Sequence, residues 1–258
     1  MNDPLLAAFI GLVAGTLSGA FGIGGGVVML PAIRLILGYP ELVAVGTSLP
    51  VILPTALAGA VTHVRNGNVL VRVGLIVGVC GMPASVLGAL ASRVIGGQAV
   101  LIIAAVVIVL AAIGVVRPTV PAARTSAADG SVQRSATPVI RLAVIGLVTG
   151  FYSGLLGLGG GFVLVPLLQR FAGLDIKQAI GTSLVGVATL AIPGALTHYA
   201  IGNVDLPLAL ALSAGVVPGA VIGARITISA NEQGVRWGFA TLLALAGIML
   251  GLSETGLL

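Results

Sequence analysis

The chain has 258 residues, 58% of them hydrophobic and 7% charged, with a mean hydropathy of +1.20. A soluble domain carries about 25% charged residues, so these values exclude one and describe a protein embedded in a bilayer. The net charge of +5 lies in loops and helix ends, where the positive-inside bias accounts for it, and forms no nucleic-acid patch. Aromatics at 4% are too few for the girdles of a membrane β-barrel. What is left is an all-α bundle packed through small residues.

Taken in order, the chain opens on MNDPLLAAFIG, which lacks a basic n-region and is expected to stay as part of the first helix. Apolar stretches follow at 4–20 and 27–37, separated by Gly24, Gly25 and Gly26, and then at 42–62, 69–92 and 98–116. The last three are long enough to cross, since a span needs about 20 residues. Cys80 stands alone inside one of them, so no intramolecular disulfide and no thiolate metal site is expected. Residues 117–138 are polar and rich in Pro, Ala and Ser, and predict a flexible linker between two transmembrane domains, 1–116 and 139–258. Beyond it come 139–155 and 162–171 around Gly159, Gly160 and Gly161, then 179–198, 204–226 and 235–250.

The second half repeats the first. With residue i set against residue i+135, 26 of the 59 positions from 11 to 69 are identical without a gap. The matches include Ser18/Ser153, Thr47-Ser48/Thr182-Ser183, His63/His198, Asn68/Asn203 and Pro83/Pro218. A shared apolar composition does not align His, Asn and Pro in register. The core of the repeat is a triple glycine inside an apolar run, followed five residues on by Pro31 or Pro166.

Each pair of pieces around the glycines covers about 34 residues, or roughly 50 Å of helix, too long for one pass through a ~30 Å core. Either the pair turns back, giving each half three crossings plus a re-entrant hairpin with the halves inverted, or it crosses once and the halves run parallel; two full crossings per pair would also invert the halves, and charge does not separate that variant from a hairpin. Positive charge separates the two. With inverted halves and a cytoplasmic linker, ten basic residues lie inside and only Arg34 and Arg93 outside; with parallel halves the split is six to six. The positive-inside bias predicts inverted repeats with both termini outside.

The duplicated G-x(3)-G-x(2)-SG-x(2)-G-[IL]-GGG-x(4)-P motif, the GTS that follows and TH-x(3)-GNV resemble the sulfite exporter TauE/SafE family of membrane permeases. The resemblance covers the chain apart from the linker. It implies multi-pass transport across a bacterial inner membrane, with sulfite, sulfonates and related organosulfur anions as the associated substrates. It supplies no family-wide set of site residues.

The candidate site is therefore read from the residues. Gly24, Gly25, Gly26 and Gly159, Gly160, Gly161 end one short helix and begin another, so two helix N-termini, each with about half a positive charge, can face a small anion. Packing explains Gly11, Gly15 and Gly19 better, as GxxxG contacts. The hydroxyls of Ser18, Ser153, Thr47, Ser48, Thr182 and Ser183 are candidate donors, with back-bonding to an i−4 carbonyl as the competing role. His63 and His198 are candidates for gating or proton coupling, against a plain interfacial role beside a loop carbonyl. Asn68 and Asn203 look like turn or N-cap residues. Arg225 either attracts anions at the inner mouth or reaches to the interface.

Every carboxylate falls near a loop or terminus, which argues against a buried acid relay. No HExxH, P-loop or GxSxG pattern is present, so neither enzymatic chemistry nor a cofactor or metal is expected. The expected partners are a small anion, the lipid bilayer, and H⁺ or Na⁺ as coupling ion. Three functions fit: a secondary transporter working by alternating access, a passive anion channel, and a non-transporting membrane assembly protein.

Overall fold

A computed structural model describes residues 4–116 and 138–254. The linker expected at 117–138 lies outside these residues, Pro138 excepted. The described residues form ten α-helices and no strand: α1 Pro4–Phe21, α2 Gly26–Pro31, α3 Glu41–Arg65, α4 Val71–Ile95, α5 Gly97–Val116, α6 Val139–Leu156, α7 Gly161–Ala172, α8 Ile176–Ala200, α9 Leu206–Ser229 and α10 Glu232–Glu254. A π-helical turn, Ala32–Ile36, prolongs α2 just after Pro31, where the ring has removed one backbone donor and the ladder widens.

Among the described residues each half holds four helices long and apolar enough to cross a membrane, eight in all, besides the shorter Gly26–Ile36 and Gly161–Ala172. Whether the pieces around the glycines re-enter or span is open from the sequence. Here α1 and α6 have 18 residues each and rise about 27 Å at 1.5 Å per residue, long enough to cross, so each half has one long helix more than the three of the hairpin reading.

Close backbone contacts give the packing directions. A Cβ placed on Gly11, Gly15 or Gly19 would collide with the carbonyls of Leu212, Val216 and Ala220 in turn, so α1 and α9 run the same way at very short range. The GxxxG reading of these glycines describes that seam. The same holds for α6 and α4, where Gly146 lies on Val77 and Gly154 on Ser85. Helix α3 also runs with α9: Thr47 meets Asp205 at one end, and Arg65 lines a groove with Arg225 at the other. Helices α1 and α3 thus point the same way, and residues 22–40 must bring the chain back between them. Likewise α8 runs with α4, where Thr182 meets Leu70 and Thr189 meets Gly78, and residues 157–175 return the chain.

Helices α3 and α8 run in opposite senses, the start of each packing on the turn after the other: Gly46 lies on Asn203 and Gly181 on Asn68. Helices α5 and α10 also oppose, with Gly247 against Val109 and Gly251 against Ala105. In this arrangement Arg65, Arg72, Arg141, Arg170, Lys177, Arg225 and Arg236 gather at one end of the bundle. Arg34 and Arg93 stand at the other, where Arg34 pairs with Glu41 at 2.6 Å.

Candidate functional site

The chain can break at the glycine triplets because the residues there adopt the left-handed backbone that side chains resist. Gly24 and Gly25 have φ of 79° and 91°, and Gly159 and Gly160 have 76° and 71°. Gly25 and Gly160 are N-caps of α2 and α7, while Gly26 and Gly161 are the first helical residues. The first two of each triplet make the break. The third is glycine for a different reason, the closeness of the other repeat.

The two breaks lie against each other at the centre of the molecule. A Cβ on Gly26 would sit 2.5 Å from Leu158 Cα, and one on Gly161 would sit 2.8 Å from Ile23 Cα. Gly24 and Gly159 both face the side chains of Ile52 and Val187, a repeat-related pair from α3 and α8. All of this is fully buried.

Hydroxyls tie each break to the opposite repeat. Ser183 Oγ donates to Gly22 O at 2.9 Å, and Ser48 Oγ donates to Gly157 O. Both also reach the carbonyl three residues back, Ile180 and Val45, rather than the one four back. Thr47 Oγ1 accepts from Asp205 N, and Thr182 Oγ1 accepts from Leu70 N, each at 3.0 Å. All four hydroxyls are therefore used in holding the repeats together.

Ser18 and Ser153 differ. Both are fully buried, and neither Oγ has a hydrogen-bond partner. Ser18 lies beside Gly25, its Cβ 3.6 Å from a Cβ built there, and Ser153 lies beside Gly160 at 3.3 Å. Each orphan hydroxyl thus stands next to the N-cap of a short helix, whose first turn has N–H groups beyond intrahelical reach. An unsatisfied buried hydroxyl costs about 1–3 kcal/mol, and here it occurs twice at repeat-related positions.

His63 and His198 are fully buried. Each bonds a helix carbonyl rather than a loop carbonyl: Nε2 of His63 to Gly19 O at 3.3 Å, and Nε2 of His198 to Gly154 O at 2.9 Å. A carbonyl only accepts, so Nε2 carries a proton toward it. Neither Nδ1 has a partner. The histidines stand at opposite ends of the bundle, and no group of three or more metal-ligating side chains occurs among the described residues.

Asn68 and Asn203 occupy turns, their N–H groups bonded to His63 O and His198 O. They cap no helix. Asp205 is the N-cap of α9 and Leu70 that of α4. Arg225 is exposed, in a surface groove.

Three buried polar residues of this region were missed. Thr55 adjoins Gly25, the carbonyl of Thr149 faces Gly160, and Ser85 lies against Gly194 with its Oγ unpartnered. Their repeat mates are Leu190, Ala14 and Ala220, so a search for matched pairs passes over them. A search for polar residues with apolar mates finds them. Apart from these residues the buried polar side chains are Ser92, Gln169 and Thr227. All are uncharged, so the core offers hydroxyls, amides and imidazoles but no buried ammonium, guanidinium or carboxylate among the described residues.

Comparison with known proteins gives the chain's family. The family model described as sulfite exporter TauE/SafE matches residues 7–250. The probable membrane transporter protein YunE of Bacillus subtilis is 27% identical over 246 residues, 89% of each chain. A probable membrane transporter protein of Haemophilus influenzae is 29% identical over 263 residues, 95% of this chain and 96% of that one. One from Methanocaldococcus jannaschii is 27% identical over 264 residues, 96% and 94% of the two chains. No solved structure matches the chain significantly.

Proposed function

The chain belongs to the sulfite exporter TauE/SafE family, and on that premise we propose that it is a secondary transporter of small anions. Its substrate class in this reading is sulfite, organosulfonates or related sulfur oxyanions, moved across a bacterial inner membrane. The observation that carries the reading is the pair of buried, unpartnered hydroxyls, Ser18 and Ser153, beside the N-cap glycines of α2 and α7. A small oxyanion accepts hydrogen bonds from hydroxyls and from the free amides of helix N-termini, and needs no buried cation to be held.

In this reading the two repeats are inserted in opposite senses and work by alternating access. Supporting this are the opposed directions of α3 and α8 and of α5 and α10, together with the gathering of basic residues at one end of the bundle. Broken helices with exposed helix ends near mid-membrane are the usual material of such sites. Gly22 is fastened to α8 and Gly157 to α3, so a rocking of one repeat against the other opens one break while closing its mate. In this reading His63 and His198, each with an unpartnered Nδ1 beside the helix that leads into a break, couple a proton to that motion.

Liposomes loaded with protein and assayed for uptake of radiolabelled sulfite, thiosulfate, taurine and acetate test the reading. Movement of one of these with acceleration by the same anion on the far side is expected. No flux for any of them rejects the anion reading, and flux without trans-acceleration makes the protein a channel.

A further inference from the structure

Between α3 and α9 a groove of about 600 Å³ opens on the outside of the bundle, at the end where basic residues gather. Its floor is apolar, from Leu57, Val61, Val217 and Val221, and its mouth carries Arg65, Asn66 and Arg225. Leu57 is 56% exposed and Val61 49%, so the floor faces hydrocarbon rather than the protein interior. Neither guanidinium has a hydrogen-bond or ion-pair partner among the described residues.

The duplication supplies a control. The mates of Leu57, Val61 and Val221 are Ile192, Leu196 and Val86, so the repeat-related positions between α8 and α4 keep the apolar floor. The mates of Arg65, Asn66 and Arg225 are Ala200, Ile201 and Leu90. The apolar floor therefore belongs to the duplicated fold, and the cationic mouth does not. The positive-inside bias places arginines at this end of the bundle, but not two of them, from different helices, on the rim of one hydrocarbon-facing groove.

We propose that this groove holds an anionic phospholipid, with an acyl chain along the α3–α9 floor and the phosphate between Arg65 and Arg225. A free anion would satisfy the arginines and leave the floor unused; a neutral lipid would do the reverse. Basic pockets between membrane helices suit anionic headgroups in this way. The proposal is independent of what the protein transports.

Native mass spectrometry of the full-length protein, titrated in mild detergent with dioleoyl-phosphatidylglycerol or dioleoyl-phosphatidylcholine, tests it. The wild type is expected to retain phosphatidylglycerol preferentially. Each arginine near an anionic headgroup is worth about fivefold in affinity, so Arg65→Gln with Arg225→Gln weakens retention roughly thirtyfold. Leu57→Trp, which fills the floor and keeps both arginines, weakens it as well. Arg236→Gln, at the same end but outside the groove, leaves it unchanged. If the double variant is not monodisperse, Leu57→Trp and Arg225→Gln alone decide. Full retention by the double variant or by Leu57→Trp overturns the proposal, as does an equal loss in Arg236→Gln. So does release of the lipid by millimolar sulfate, or a wild-type dimer that comes apart in the double variant without loss of lipid.

Discussion

Replacing Ser18 or Ser153 by alanine separates a ligand-binding hydroxyl from a structural one by the sign of its effect. Both hydroxyls are fully buried and unpartnered, so in the substrate-free protein each is a cost of about 1–3 kcal/mol. Alanine removes that cost at the loss of one small polar atom, and Ser18→Ala and Ser153→Ala should match or exceed the wild type in thermal stability. Ser183→Ala is the reference. Its Oγ donates to Gly22 O and Ile180 O, and removing it strands the Gly22 carbonyl, at about 1–2 kcal/mol of destabilisation. With substrate the order reverses. A hydrogen bond to a charged group contributes about 1.5–3 kcal/mol, which is roughly 10- to 150-fold in affinity, so both orphan variants should bind and carry the anion far more weakly. Thermal unfolding of the purified protein, with and without the transported anion, reads both effects in one experiment. Destabilisation of Ser18→Ala to the extent seen in Ser183→Ala, with anion affinity intact, would refute the reasoning.

The two left-handed N-caps should respond unequally to alanine. A Cβ at Gly160 would lie 2.8 Å from the rigid Thr149 carbonyl, whereas one at Gly25 meets first the flexible tip of Met29 at 2.9 Å. Both pay the left-handed strain of about 1–2 kcal/mol, and Gly160→Ala should unfold at the lower temperature; the opposite order would remove the steric argument. Gly154→Ala forces a methyl onto the Ser85 carbonyl and should cost about 1–3 kcal/mol by overpacking, measurable as loss of monodisperse protein on detergent heating. Cysteines introduced at Asn66 and Ile201, in a variant with Cys80→Ala, should react with an impermeant maleimide from opposite sides of the membrane. Labelling of both from one side would end the inverted-repeat reading.

Much of this was legible in the sequence, because the repeat exposes itself. The offset of 135 residues paired Ser48 with Ser183 and His63 with His198, and the structure gives the members of each pair the same kind of partner. Helix positions followed from apolar run lengths, with ends extended by up to about four residues where Lys177 or Glu254 continues a helix that composition alone would stop. The assignment of roles within the motif was not legible. Nothing in GTS says that Thr47 and Ser48 hold the opposite repeat while Ser18, some thirty residues earlier, is left without a partner. That distinction depends on which carbonyl lies across the interface, and the interface is formed by residues far apart in the chain.

The residues the repeat does not share carry the remaining information. Two identical halves inserted in opposite senses would make the inward- and outward-facing states equal in energy by symmetry, leaving the protein without a resting preference. Here Thr55 answers to Leu190, Thr149 to Ala14 and Ser85 to Ala220, all three near the glycine breaks or the helices that lead into them. Each difference puts a polar group on one side of the centre and an apolar group on the other. On the transporter reading proposed above, the matched residues build the two half-sites, and the unmatched ones make those half-sites unequal. That inequality biases which way the empty protein faces, while the direction of net movement is set by the gradients of the anion and of any coupled ion.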